Sequence, residues 1–122
     1  MLSGVESKRV ALARAVLFNP RFLVLDEVFD NLDLPQRFEL QDFLLKLWEK
    51  NQSTILLVTH DLDEAVYLAE SLDVFVRSEN RIVSNIKNPF PHPRFRVDKN
   101  LTPPNQDFHR YLYNCLLGQP HA

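Results

Sequence analysis

A chain of 122 residues, 45% hydrophobic and 25% charged, is the size of one compact domain with the composition of an ordinary soluble globular protein. Its formal net charge of −2 gives no broad pull toward nucleic acid or an anionic membrane. No apolar run approaches the roughly 20 residues of a membrane span, and one cysteine, Cys115, leaves no intramolecular disulfide and no thiolate metal cage.

Taken in chain order, "LSG" at 2–4 leads directly into "VESKRVALARAVLF" (5–18), a helix with Val10, Leu12, Ala13, Val16 and Leu17 at helical spacing. A glycine turn that opens a helix normally has a strand behind it, and none precedes this one. Pro20 ends the helix by biasing Asn19 away from helical angles. "FLVLDE" (22–27) is a short apolar run closed by two acids, the pattern of a strand buried on both faces of a parallel sheet. "LPQRFELQDFLLKLWEK" (34–50) is an amphipathic helix with Pro35 in its first turn. "STILLVTH" (53–60) is a second apolar strand, and "DLDEAVYLAESL" (61–72) a helix whose acidic first turn suits its dipole. "DVFVRSENRIVSNI" (73–86) alternates about "SEN" as a hairpin does.

From Lys87 the composition changes. Residues 88–104 hold five of the eight prolines and read as a loop or extended linker, and 105–117 as a final amphipathic helix ahead of Gly118. Cys115 reads as a small buried hydrophobe. Helices alternating with apolar strands predict an α/β fold with a parallel sheet, in which ligands gather beyond the carboxyl ends of the strands. Asp26, Glu27 and His60 all fall there. An acid at such a place can hold Mg²⁺, a second beside it can orient or deprotonate a water, and a histidine can reach a phosphate or that water.

The ordered set "LSGVESKRVALARA", "FLVLDEVFDNLD" and "ILLVTHDLDEAVYLAE" resembles the carboxyl half of an ABC transporter ATP-binding subunit, of the nitrate, sulfonate and taurine importer type. The resemblance covers residues 2 to about 86. It implies a partial P-loop-NTPase-like parallel sheet with flanking helices, followed by a hairpin and a Pro-rich tail. The implied organisation is 1–86 as the half-domain, 87–104 as linker and 105–122 as helix and tail. Leu2, Ser3 and Gly4 match the start of the signature that meets the nucleotide of the opposing subunit. Asp26 matches the acid that positions Mg²⁺, Glu27 the general base and His60 the switch histidine at the γ-phosphate. Asn31, Leu32 and Asp33 fall on the loop where dimer halves touch. ATP and Mg²⁺ are the implied cofactors. A second ATPase subunit and membrane permease subunits are the implied partners, with no nucleic acid partner and no direct membrane insertion. The implied location is cytoplasmic, peripheral at the inner face of the membrane.

The chain departs from that pattern in two ways. The signature reads "LSGVE", so a branched Val5 and an acidic Glu6 stand where the family has Gly and Gln. A Glu6 pointing inward, ~5 Å from a phosphate at an effective dielectric of about 20, would repel it by roughly 3 kcal/mol per charge. One pointing to solvent would be screened. No G-x-x-x-x-G-K-[ST] run is present, and the glycines are Gly4 and Gly118. The sequence therefore predicts the hydrolytic half of an importer ATPase, beginning mid-domain and inactive alone. The alternative is a non-catalytic remnant or regulatory subunit pairing with a complete ATPase. Without a P-loop strand beside it, "ILLVT" is expected to keep an unpaired edge that favours association.

Overall fold

The computed structural model describes residues 4–92, 94 and 103–118. They fall into two compact units, Met1–His60 and Asp61–Ala122. Helices mix with one small parallel and one small antiparallel sheet, as an α/β reading requires.

In the first unit, helix α1 (Gly4–Leu17) leads to strand β1 (Phe22–Asp26), helix α2 (Leu34–Asn51) and strand β2 (Thr54–Val58). Asn19 closes α1 in a left-handed conformation (φ 51°), its N–H donating to Val16 O at 2.8 Å. Asparagine tolerates that region better than other residues with a side chain. Helix α2 starts at a capping box: Asp33 Oδ1 accepts from the Gln36 N–H (2.9 Å), and Gln36 Oε1 accepts from the Asp33 N–H (3.3 Å). Strands β1 and β2 run parallel, Phe22 opposite Thr54 through Asp26 opposite Val58. The ladder extends past both ends, from Thr54 N–H to Arg21 O (3.0 Å) and from Glu27 N–H to Val58 O (2.9 Å). That register brings the ends of both strands to one edge.

The core of this unit is Val5, Leu12 and Val16 of α1, Leu25 of β1, Leu40 and Leu44 of α2, and Phe29 from the loop between. Arg9 spans α1 and α2, pairing with Glu39 (2.6 Å) and lying 5.2 Å from the centroid of Phe43.

One expectation changes here. The strand "FLVLD" is not buried on both faces. Phe22 and Val24, with Leu56 and Val58 of β2, lie on one face of the sheet and are exposed, while Leu25 turns into the core. An apolar run states what a strand is able to bury, but coverage needs a second layer. Among the described residues β2 has β1 as its one partner strand. The branched Val5 is itself buried, on the same helical stripe as Leu12 and Val16. Glu6 is exposed, the screened case.

In the second unit, helix α3 (Leu62–Leu68) is capped by Asp61, whose Oδ1 accepts from the Glu64 N–H at 3.2 Å. A hairpin follows, strands β3 (Ser71–Val76) and β4 (Arg81–Lys87) joined through a 3₁₀ turn at Arg77–Glu79. Along β3, Leu72, Val74 and Val76 turn inward and Phe75 outward, opposite Ile82. The register slips between Leu72 and Val74, where β4 carries an extra residue. Asn85 there is left-handed (φ 58°), and its N–H donates to Asp73 Oδ1 at 2.9 Å. Helix α4 (Pro103–Leu116) lays Leu112 and Cys115 into the core with Val66, Leu72, Val74 and Ile86. Phe90 and Phe108 meet edge to face at 5.9 Å. Cys115 is buried and free, as its reading as a small hydrophobe required.

Asn88 closes the end of α3. Its Nδ2 donates to Val66 O (2.8 Å) and Ala69 O (2.9 Å), its Oδ1 accepts from the Phe90 N–H (3.0 Å), and its N–H donates to Glu70 O (3.0 Å). Arg94 adds Nε to Phe90 O and Nη1 to Tyr67 O, at 2.7 and 3.0 Å. Of the expected linker 87–104, residues 93 and 95–102 lie outside the described residues.

Candidate functional site

Strand β1 delivers two acids to the sheet edge and then turns sharply. Asp26 is the last strand residue and is exposed. Glu27 follows in a left-handed conformation, φ 50°. Among the described residues, four of the six non-glycine residues at positive φ are asparagines, and Glu27 departs from that pattern with Gln52. Such a conformation costs an ordinary side chain about 1–2 kcal/mol, and strain of this kind gathers at functional sites.

The following turn is held from below. Phe29 is 1% exposed, and the Asp30 N–H donates to Glu27 O at 3.2 Å. Lys8, reaching from α1, donates its Nζ to Val28 O (2.6 Å) and Asp30 O (2.8 Å). The Glu27 carboxylate therefore stands on a fixed turn. Across from it, the end of β2 presents His60, whose Nδ1 lies 3.1 Å from Glu27 Oε1. Both side chains remain open to water, His60 73% and Glu27 47% exposed. Asp30 completes a cluster: one donor atom each from Glu27, Asp30 and His60 lie within 4.8 Å of one another.

The residues expected from the sequence are distributed as follows. Glu27 and His60 are brought into contact, with Asp26 next to them at the strand end. Gly4 opens α1 and is exposed, and a Cβ added to it would meet Leu32 Cδ2 at an ordinary 3.8 Å. Asp33 serves as the N-cap of α2. Leu2 and Ser3 lie outside the described residues. Sequence reasoning missed Lys8, Phe29 and Asp30. The spacing of Asp30, three residues after Glu27 in "DEVFD", was the one available signal.

An imidazole bonded to a carboxylate can orient it and take part in moving a proton from a water. The carboxylate oxygens of Asp26, Glu27 and Asp30 are the hard donors that Mg²⁺ takes, so the residues fit that ion. They do not fit the triphosphate grip of a P-loop, for which the sequence has neither the glycines nor the lysine at the required spacing.

No family model matches the chain. Among known proteins it is similar to the aliphatic sulfonates import ATP-binding protein SsuB of Bacillus cereus, with 41% identity over 99 residues, covering 81% of this chain and 39% of that protein. The SsuB protein of Bacillus licheniformis is 46% identical over 96 residues, 79% and 38% of the two chains. The bicarbonate transport ATP-binding protein CmpD of Synechococcus elongatus is 40% identical over 119 residues, 97% of this chain and 43% of that one. The chain thus spans about two fifths of the length of these relatives.

Proposed function

From a chain that belongs, over part of the family's length, to the ATP-binding subunits of ABC-type importers, we propose a role as the hydrolytic half of such an ATPase. The observation that carries this reading is the 3.1 Å contact of Glu27 with His60 beyond the carboxyl ends of two parallel strands. Glu27 is the base that takes a proton from the attacking water, and His60 orients that carboxylate and reaches the terminal phosphate. Asp26 is the acid for Mg²⁺. The ion, when bound, screens charge developing on the phosphates. Ser3 and Gly4 serve the nucleotide of an opposing subunit, and Asp33 the contact between halves. Residues 1–86 are the portion that corresponds to this half-domain.

A P-loop must come from sequence outside these 122 residues or from a partner chain. The assembly would sit at the cytoplasmic face of the membrane through permease subunits. Among the described residues no helix is long and apolar enough to cross a membrane. Relatives named for aliphatic sulfonates and bicarbonate favour a small oxyanion as cargo.

The test is reconstitution with the P-loop-bearing portion of a related ATPase. Glu27→Gln should abolish turnover while nucleotide binding persists. Unchanged turnover would remove Glu27 from the reaction. The second reading is a regulatory subunit pairing with a complete ATPase, and the observation behind it is that the sequence holds no P-loop of its own. On that reading the chain changes a complete partner's rate, and Glu27→Gln leaves the change intact.

A further inference from the structure

We infer that Glu27, Asp30 and His60 form a binding site for one borderline divalent cation of the Zn²⁺, Co²⁺ and Ni²⁺ class. Donor atoms from the three residues converge within 4.8 Å, from the turn after β1 and the end of β2. A tetrahedral ion with bonds of about 2.0–2.2 Å separates its ligands by roughly 3.3–3.6 Å. The pair His60 Nδ1 and Glu27 Oε1, at 3.1 Å, is already close to that spacing. The Asp30 carboxylate completes the set by side-chain rotation, on a turn that Phe29 and Lys8 hold in place.

The imidazole decides the ion. Carboxylates alone would suit Mg²⁺ or Ca²⁺, which take oxygen ligands and gain little from nitrogen. One nitrogen with two carboxylate oxygens is a donor set for Zn²⁺ and its neighbours, and three protein ligands leave a fourth position for water. Lys8 is the cation facing this turn, and its ammonium is held on the carbonyls of Val28 and Asp30. Binding needs the Nδ1 lone pair of His60, so the ion replaces the His60–Glu27 hydrogen bond. In an assembled ATPase an ion here would occupy the carboxylate needed by the water. That consequence rests on the role proposed above; the binding itself does not.

The experiment titrates the full chain with Co²⁺, following its visible absorption, and then displaces it with Zn²⁺. The expected result is one saturable tetrahedral-type spectrum per chain, unaffected by excess Mg²⁺. Asp30→Asn and His60→Ala should each weaken it roughly tenfold or more, since even outer-shell changes cost 10–100-fold, with far-UV circular dichroism unchanged. The titration reads metal binding on this chain without nucleotide or turnover, so its failure and the failure of the hydrolytic reading are separate outcomes. Absence of a saturable spectrum, its survival in both variants, or its loss to Mg²⁺ would each overturn the assignment.

Discussion

Asn88 gives the sharpest test of how the second unit holds together. The residue is 7% exposed, and its side chain makes three hydrogen bonds: two donated to the carbonyls that end α3, one accepted from Phe90. At about 1 kcal/mol net for each, Asn88→Ala should lower stability by about 3 kcal/mol. That is a large share of the 5–15 kcal/mol available to an ordinary domain. Asn88→Asp keeps the shape and reverses the chemistry. It keeps the acceptor for Phe90 but turns a carboxylate oxygen toward Val66 O and Ala69 O, where two donated bonds stood. An unsatisfied or opposed buried group costs about 1–3 kcal/mol, more when charged, so at pH 7 this variant should be at least as unstable as the alanine one. The carboxyl's folded pKa must then lie above its unfolded value of about 3.9. A raised pKa contributes stability that is fully present below the unfolded value and is lost as pH rises through the folded one. Urea unfolding of the full chain, followed by circular dichroism at pH 4 and pH 7, reads both effects. The aspartate variant should recover relative to alanine at the lower pH. If it is the more stable of the two at pH 7, the donated bonds to the α3 carbonyls are not what Asn88 contributes.

Two further predictions concern other side-chain contacts. Phe29→Ala empties the anchor beneath the Glu27–Asp30 turn and should cost about 3–5 kcal/mol, read as a fall in the urea midpoint; a loss below 1 kcal/mol would show that the turn is held without it. A hydrogen bond with the Cys115 thiol holds the Tyr111 hydroxyl above its ordinary value of 10.0. Its contribution is therefore complete below pH 10 and is lost as pH rises through the higher folded value. Tyr111→Phe should flatten that alkaline loss in a pH series of melting temperatures, and an unchanged slope would assign the loss elsewhere.

Much of this molecule was legible in its sequence because local signals agreed. The strands at 22–27 and 53–60, the helix entered at Leu34 and the hairpin about "SEN" all form close to where the pattern put them. The strand-end rule places Glu27 and His60 together, because parallel strands in register end side by side. What escaped depends on contacts across sequence. Nothing in "ESKRV" says that Lys8 will bond two carbonyls twenty and twenty-two residues away. Asn88 stands in a Pro-rich stretch that reads as loop, yet it is the cap of a helix that ended nearly twenty residues earlier. The exposed face of Phe22, Val24, Leu56 and Val58 is hidden from the sequence for a different reason. Hydrophobicity along a strand carries no information about which of its faces a neighbouring layer will cover. The burial of Val5 is legible in the sequence, since its spacing to Leu12 and Val16 sets all three on one stripe.

The two bonds from Lys8 make the first helix and the Glu27 turn one mechanical part. An ammonium gripping carbonyls behaves as a short strut, since backbone oxygens cannot swing aside as side chains do. Displacing the start of α1 by an ångström must either break contacts of 2.6 and 2.8 Å or drag Val28 and Asp30 with it. A push at the start of α1 would reach the turn that carries Glu27 directly through the Lys8 side chain.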